Sequence, residues 1–156
     1  PGIMLTPAGP KVLEFNARFG DPECEVILAR LKSDLASLLM AVADGALADV
    51  KVEWAKEPAA CVVVASEGYP DNVVKGREIR RVPEWEDGLK VLHAATTLDG
   101  GRMVTNGGRV FAVTALGATL PQALNRAYAA VEGIEFEGAQ YRRDIGASAL
   151  RRLGVA

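Results

Sequence analysis

The sequence has one histidine and two cysteines, and none of the three builds a familiar catalytic or metal site. Cys24 and Cys61 lack CxxC spacing and sit in apolar stretches, which marks them as buried free thiols rather than a metal pair or a disulfide. His93 closes an apolar run and reads as a hydrogen-bonded structural histidine, because a general base also needs a positioned partner. No Ser/His/Asp or Cys/His constellation is present. No apolar run approaches the roughly 18 residues that span a bilayer, and no basic flank precedes an apolar signal core, so the expectation is a cytoplasmic protein without a membrane partner. Neither sign of charge dominates: 18 Lys plus Arg against 20 Asp plus Glu leave −2. A basic nucleic-acid footprint is thereby excluded, and a hydrophobic fraction of 49% is too high for intrinsic disorder. There is no internal repeat or low-complexity tract. At 156 residues, one ordinary domain or two small ones fit.

What is present falls into two parts. Ile3-Met4-Leu5 and Val12-Leu13-Glu14-Phe15-Asn16 flank the turn residues Pro7-Ala8-Gly9-Pro10 and predict a hairpin. A domain that opens inside a hairpin exposes a strand edge, which suggests the C-terminal part of something longer. Asp21 is placed to cap a helix with Pro22 at its first position and Glu23 in its first turn. Leu31, Leu35, Leu38, Leu39 and Val42 recur at helical spacing, with Ser33-Asp34 as a break or second cap and Gly45 as a stop. The charged, irregular stretch 51–58 reads as a linker. Beyond it, apolar runs at 61–65, 91–94 and 110–114 predict strands, separated by turn clusters at 68–72, 99–101 and 106–108. Leu120-Pro121 opens a helix that ends at Gly133, followed by a strand and a short terminal helix. The expected fold class is α+β, with residues 1–57 as one unit and 58–156 as a small sheet domain carrying one main helix. Trp54 and Trp85 read as packing anchors at the linker and surface, and 75–81 as a solvated strand.

The segment 14–23 carries the most chemistry. In a strand, Glu14 and Asn16 share a face, so a carboxylate and an amide oxygen converge. Such a pair suits a hard cation, and Mg²⁺ is commonly held by one or two protein oxygens together with nucleotide phosphates. Arg18, two positions on, is placed to meet a carboxylate or phosphate; the alternative is the wet face of a surface strand. In Thr105-Asn106-Gly107-Gly108-Arg109, paired glycines let backbone N–H groups approach a phosphate and Arg109 adds a charge-assisted contact. A tight hairpin turn explains the same residues, since Asn-Gly is also the strongest short hairpin signal.

Arg18-Phe19-Gly20-Asp21-Pro22-Glu23-Cys24-Glu25-Val26 resembles the signature of the phosphoribosylamine–glycine ligases, the glycinamide ribonucleotide synthetases of purine biosynthesis. The resemblance continues in order through Pro10 to Asn16, Leu31 to Leu35, Ala65 to Pro70, His93 to Thr96, Thr105 to Val110 and Tyr141 to Gly146. Ala95 and Asp71 depart from it, both in turns. Members of that family are longer ATP-grasp enzymes, of which this chain resembles the C-terminal portion. The resemblance implies that Glu14 and Asn16 hold the Mg²⁺ (or Mn²⁺) of the ATP complex. It implies a catalytic Arg18, with Asp21, Asn106, Gly107, Gly108 and Arg109 toward the substrate. The implied partners are ATP, glycine, 5-phosphoribosylamine and the remainder of the parent chain. Without most of the ATP-grasp module, this segment alone is expected to be inactive. Two alternatives stay open: another ATP-grasp carboxylate–amine ligase, or a stand-alone fragment that only binds.

Overall fold

A computed structural model describes residues 2–155. Its first elements are the expected hairpin, β1 (Gly2–Thr6) and β2 (Gly9–Glu14), paired antiparallel with Thr6 opposite Gly9. Gly9 takes φ +94°, a conformation that side-chain-bearing residues rarely adopt, and Thr6 Oγ1 donates to its carbonyl at 2.7 Å. The helical stretch divides into α1 (Glu23–Ala29) and α2 (Leu35–Ala43). Asp34 is the second cap: its carboxylate accepts the Ser37 N–H at 2.7 Å. At the other end of α2, Gly45 (φ +68°) donates to Val42 O and Ala46 to Ala41 O, a Schellman stop.

Two local expectations are corrected here. Asp21 does not cap α1. Pro22 occupies the cap position, with no side-chain cap bond, and the helix starts at Glu23. Asp21 is engaged elsewhere, as shown below. The stretch 51–58 is charged but tied down: Lys32 N–H donates to Glu53 O at 2.9 Å, Ala55 N–H to Arg30 O at 2.7 Å, and the Arg30 guanidinium to the carbonyls of Ala55 and Glu57. Composition gave no hint of these backbone bonds. Trp54 and Trp85, 47% and 61% exposed, lie at the surface, and Trp85 Nε1 donates to Val91 O at 2.9 Å.

The remaining elements are β3 (Ala59–Ala65), β4 (Ile79–Arg81), β5 (Leu89–His93), β6 (Thr96–Asp99), β7 (Arg102–Thr105), β8 (Arg109–Leu116), α3 (Leu120–Glu132), β9 (Glu135–Phe136) and α4 (Ala147–Leu153). The central antiparallel sheet has the order β3-β8-β5, while β4 pairs with β9 and β6 with β7. One face of that sheet presents Val62, Val64, Val91, Phe111, Val113 and Ala115 to α3, whose stripe Ala123, Leu124, Ala127, Ala130 and Val131 completes the core. Pro121 sits in the first turn of α3, as the sequence predicted, and Thr119, which sequence reasoning did not single out, caps it. Each fully buried aliphatic or aromatic side chain here contributes about 1.5–3 kcal/mol. The opposite face carries Cys61, Val63 and Thr114, with α1 against β3 and β8. Cys24 and Cys61 are free, as expected, and burial pushes the Cys61 thiol up to about 11. The chain is α+β.

Candidate active site

β2 ends at Glu14, so Asn16 lies in the loop beyond the strand rather than on its face. The side chains nevertheless converge. Asn16 Nδ2 donates to Glu14 Oε1 at 3.2 Å, and Arg18 Nη1 donates to Asn16 Oδ1 at 2.8 Å. All three border a cavity of about 340 Å³ under the start of α1, which Glu23 also lines. Glu23 was not singled out by sequence reasoning, although a carboxylate in the first turn of a helix beside an Arg and an Asn was signal enough.

This donor set fits a divalent cation. Glu14 has one carboxylate oxygen outside the bond to Asn16, and an amide oxygen keeps a second lone pair after accepting from Arg18. Among the described residues no group of three or more His, Cys, Asp or Glu is disposed to hold a metal. A cation here therefore takes only one or two protein ligands, leaving the rest to phosphate and water, the usual pattern for Mg²⁺.

A bulge aims the second set. β8 pairs with β3 in regular register from Leu116 to Phe111, but the next pair is Ala65 with Arg109, so Val110 is an extra residue. Strict alternation would put Arg109 on the core face with Phe111. The bulge buries Val110 completely and turns Arg109 to the face of Ala65 and Cys61, where α1 begins. There Arg109 Nη1 donates to the Asp21 carbonyl at 2.9 Å, and Nη2 lies 3.5 Å from Asp21 Oδ2. Two residues 88 apart in sequence thus meet, which explains why Asp21 is not a helix cap.

Arg109 also lines a larger cavity of about 580 Å³ with a floor of Cys61, Val63 and Ala65 and a polar wall of Tyr69, Gln140 and Arg142. Sequence reasoning gave these three wall residues no role. The Tyr-Arg-Arg-Asp cluster after β9 was the available signal. Arg142 is held in a fork by Asp144, with Nε to Oδ1 at 2.9 Å and Nη2 to Oδ2 at 2.7 Å, and that pairing keeps the Asp144 carboxyl below its ordinary range.

Asn106, Gly107 and Gly108 line neither cavity. They are not a hairpin turn either, because β7 pairs with β6 while β8 pairs with β3 and β5. Both glycines avoid the left-handed region; a Cβ on Gly108 would collide with the Tyr69 ring, and one on Gly107 would stand 2.8 Å from Ala95 Cβ. Their carbonyls accept from Ser66, Gly107 O from Oγ and Gly108 O from the N–H, both at 2.8 Å. His93 keeps its structural role, with Nδ1 3.1 Å from Thr96 Oγ1 and its ring edge-on to Phe111.

The first hairpin thus has a trailing loop that gathers a carboxylate, an amide and a guanidinium, and it is clasped to a separate sheet through Asp21 and Arg109. Residues 1–24 match the family model "Phosphoribosylglycinamide synthetase, ATP-grasp (A) domain", which makes the hairpin and loop part of an ATP-grasp module. Residues 59–148 match "Phosphoribosylglycinamide synthetase, C domain", and the chain belongs to the phosphoribosylglycinamide synthetase family. It is 50% identical over 153 residues to the phosphoribosylamine–glycine ligase of Brucella melitensis, covering 97% of this chain and 36% of that protein. It is 52% identical over 154 residues to the human trifunctional purine biosynthetic protein adenosine-3, covering 97% of this chain and 15% of that one. The crystal structure of phosphoribosylamine–glycine ligase from Thermotoga maritima superposes with a TM-score of 0.72 at 38% identity, over 92% of this chain and 35% of that one. The chain thus spans about a third of the length of the bacterial relatives it matches.

Proposed function

We propose that this chain is the C-terminal third of an ATP-dependent ligase that joins glycine to 5-phosphoribosylamine, giving glycinamide ribonucleotide, ADP and phosphate. The clasp between Arg109 and Asp21 supports this most directly, because it sets the Glu14-Asn16-Arg18 cluster beside the larger cavity and makes one site of two motifs. In this reading residues 1–57 close the ATP-grasp module and 58–156 form the domain that covers it, an arrangement the two matched segments support.

The chemistry needs an activated carboxylate. A glycine carboxylate oxygen forms a bond to the γ-phosphorus as the bond to ADP breaks. The amine of phosphoribosylamine then attacks the acyl carbon, phosphate leaves with the C–O electron pair, and the nitrogen gives up a proton. Glu14 and Asn16 hold the divalent cation, magnesium or manganese, which when bound neutralises phosphate charge. Arg18 stands beside that pair to meet the γ-phosphoryl oxygens as they part from ADP, an electrostatic role for a preorganised guanidinium. Arg109 faces the substrate phosphate across the larger cavity, and Asp21 holds that guanidinium in place. Asn106, Gly107 and Gly108 lead the chain into Arg109, where Gly108 lets the Tyr69 ring, and Gly107 lets Ala95, pack closely against the backbone. Positioning of the three reactants supplies much of the remainder.

The complete chain that carries this segment, purified, should release phosphate from ATP only when both glycine and phosphoribosylamine are present, whereas the 156-residue segment alone should release none. Release from the segment, or release by the complete chain without either co-substrate, overturns the reading.

A further inference from the structure

The wall of the larger cavity is irregular chain. Gln140, Tyr141, Arg142 and Ile145 line it from the segment between β9 and α4, which has no helix or strand of its own. At its near end Gln140 exchanges both backbone hydrogen bonds with Ala65, at 2.8 and 2.9 Å, so this end is a strand edge. At the far end Tyr141 and Ile145 pack against the core, and one side chain bridges the backbone between them. The Tyr128 hydroxyl donates to the Arg142 carbonyl at 3.0 Å and accepts the Ile145 N–H at 3.0 Å. One phenol thus satisfies a donor and an acceptor on either side of Asp144, using both of its capacities.

Packing does not account for that hydroxyl. Tyr128 stands on the flank of the buried stripe of α3, half-buried, with its ring beside the core and 6.2 Å from the Tyr141 ring. Phenylalanine would serve those contacts as well. What only the hydroxyl supplies is the bridge between the Arg142 carbonyl and the Ile145 N–H, and hence the place from which the Arg142 guanidinium starts before Asp144 orients it. Without the hydroxyl the exposed Arg142 carbonyl turns to water, while the part-buried Ile145 N–H is left unpaired and favours a shifted loop. Arg142 and Arg109 are the two cations that line this cavity, on separate walls, and an anion bound between them is sensitive to displacement of either.

We infer that Tyr128 is a positioning residue of this site, acting through Arg142 to set the cationic wall that meets the phosphate of the substrate. The inference rests on the reading of the larger cavity as the phosphoribosylamine site. In the complete ligase chain, Tyr128→Phe, Arg142→Met and the double variant are compared by steady-state kinetics, varying phosphoribosylamine, glycine and ATP in turn. Tyr128→Phe should raise the KM for phosphoribosylamine roughly fivefold to thirtyfold, the scale of two lost hydrogen bonds, and leave the KM values for ATP and glycine unchanged. The double variant should be no worse than Arg142→Met, and the Ile145 amide should exchange faster with solvent in Tyr128→Phe. If Arg142→Met raises that KM but Tyr128→Phe does not, or if Tyr128→Phe lowers kcat alike for all substrates, Tyr128 is structural only and the inference falls. Effects that add in the double variant also overturn it, because Tyr128 then does not act through Arg142. If neither variant moves the phosphoribosylamine KM, the cavity reading itself fails.

Discussion

From Gly2 to Trp54 no residue is buried, whereas from Ala55 onward the chain holds a continuous core. The contrast is not one of composition. Ile3, Met4, Leu5, Val12, Leu13 and Phe15 are each more than half exposed in the first region, while Val62, Val91, Val110, Phe111 and Val113 are fully enclosed in the second. Nor is it one of pattern, since both regions hold consecutive apolar residues. In β8 every residue from Val110 to Ala115 is buried, with α3 on one face and α1 on the other, whereas the consecutive apolar residues of β1 and β2 are left on both faces of an uncovered two-stranded ribbon. Strands that read as continuous apolar runs are ordinarily covered on both sides, and an isolated hairpin is marginal at best. We propose that the remaining two-thirds of the ligase supplies that cover. The second region is then a fold in its own right, and the first is one surface of a larger fold.

The sharpest test of that contrast pairs one substitution from each region. In this 156-residue chain Phe111→Ala should cost about 3–5 kcal/mol in denaturant unfolding, the usual penalty for a fully enclosed ring. Leu13→Ala should cost under about 0.5 kcal/mol, as exposed positions do. In the complete ligase the Leu13 cost should climb into the core range of about 2–5 kcal/mol. A Leu13→Ala penalty equally small in the complete chain would remove the argument that the hairpin is covered there.

Catalysis should show the inverse contrast, with the loosely packed region more sensitive. In the complete ligase Glu14→Ala should lower turnover on the order of 10²- to 10³-fold with little change in melting temperature, because Glu14 is exposed. Asn16→Leu should behave similarly. Wild-type activity of Glu14→Ala at every Mg²⁺ concentration would remove Glu14 from the site. Arg109→Met should raise the KM for phosphoribosylamine roughly 10- to 150-fold, the loss of one charged hydrogen bond. Since Arg109 also grips Asp21, Asp21→Asn separates the two roles: an equal effect from that variant would assign Arg109 to the clasp alone.

The elements with local signals were legible in the sequence: the first hairpin, the Asp34 cap, the Gly45 stop, α3 from its Leu120-Pro121 start to Gly133 and the three strands of the central sheet. What escaped depended on partners far along the chain. Asn106-Gly107-Gly108 has the composition of a hairpin turn, yet its neighbours pair with other strands, and its glycines are required by Ala95 and by the ring of Tyr69. Arg109 faces the site only because Val110 bulges out of register. The short β6 and β7 carry too few apolar residues to announce themselves, and 51–58 is docked by backbone bonds and by the Arg30 and Ser33 side chains, partners some 20 residues or more upstream. The site was legible in part for the same reason: Glu14, Asn16 and Arg18 are close in sequence, whereas Tyr69, Gln140 and Arg142 are brought together only by the fold.

The smallest expected effect lies within the exposed region, at its best-defined local structure. The Ser37 N–H bonded to Asp34 holds that carboxyl below its ordinary value of 3.8. A group depressed in the folded state lends stability that is present above its unfolded value and lost as pH falls through the folded one. The cap of α2 should therefore persist down to pH 3.8 and fail only below it, without moving the unfolding transition of the core, which α2 does not join. Followed by NMR, the Ser37 amide shift of the chain should titrate with a midpoint under 3.8, and in Asp34→Asn, which keeps a capping oxygen but no ionisable group, it should stay flat. A midpoint at or above 3.8 would mean that the carboxylate does not cap the helix. A core transition that moves with the same midpoint would join α2 to the second region and erase the boundary drawn between the two.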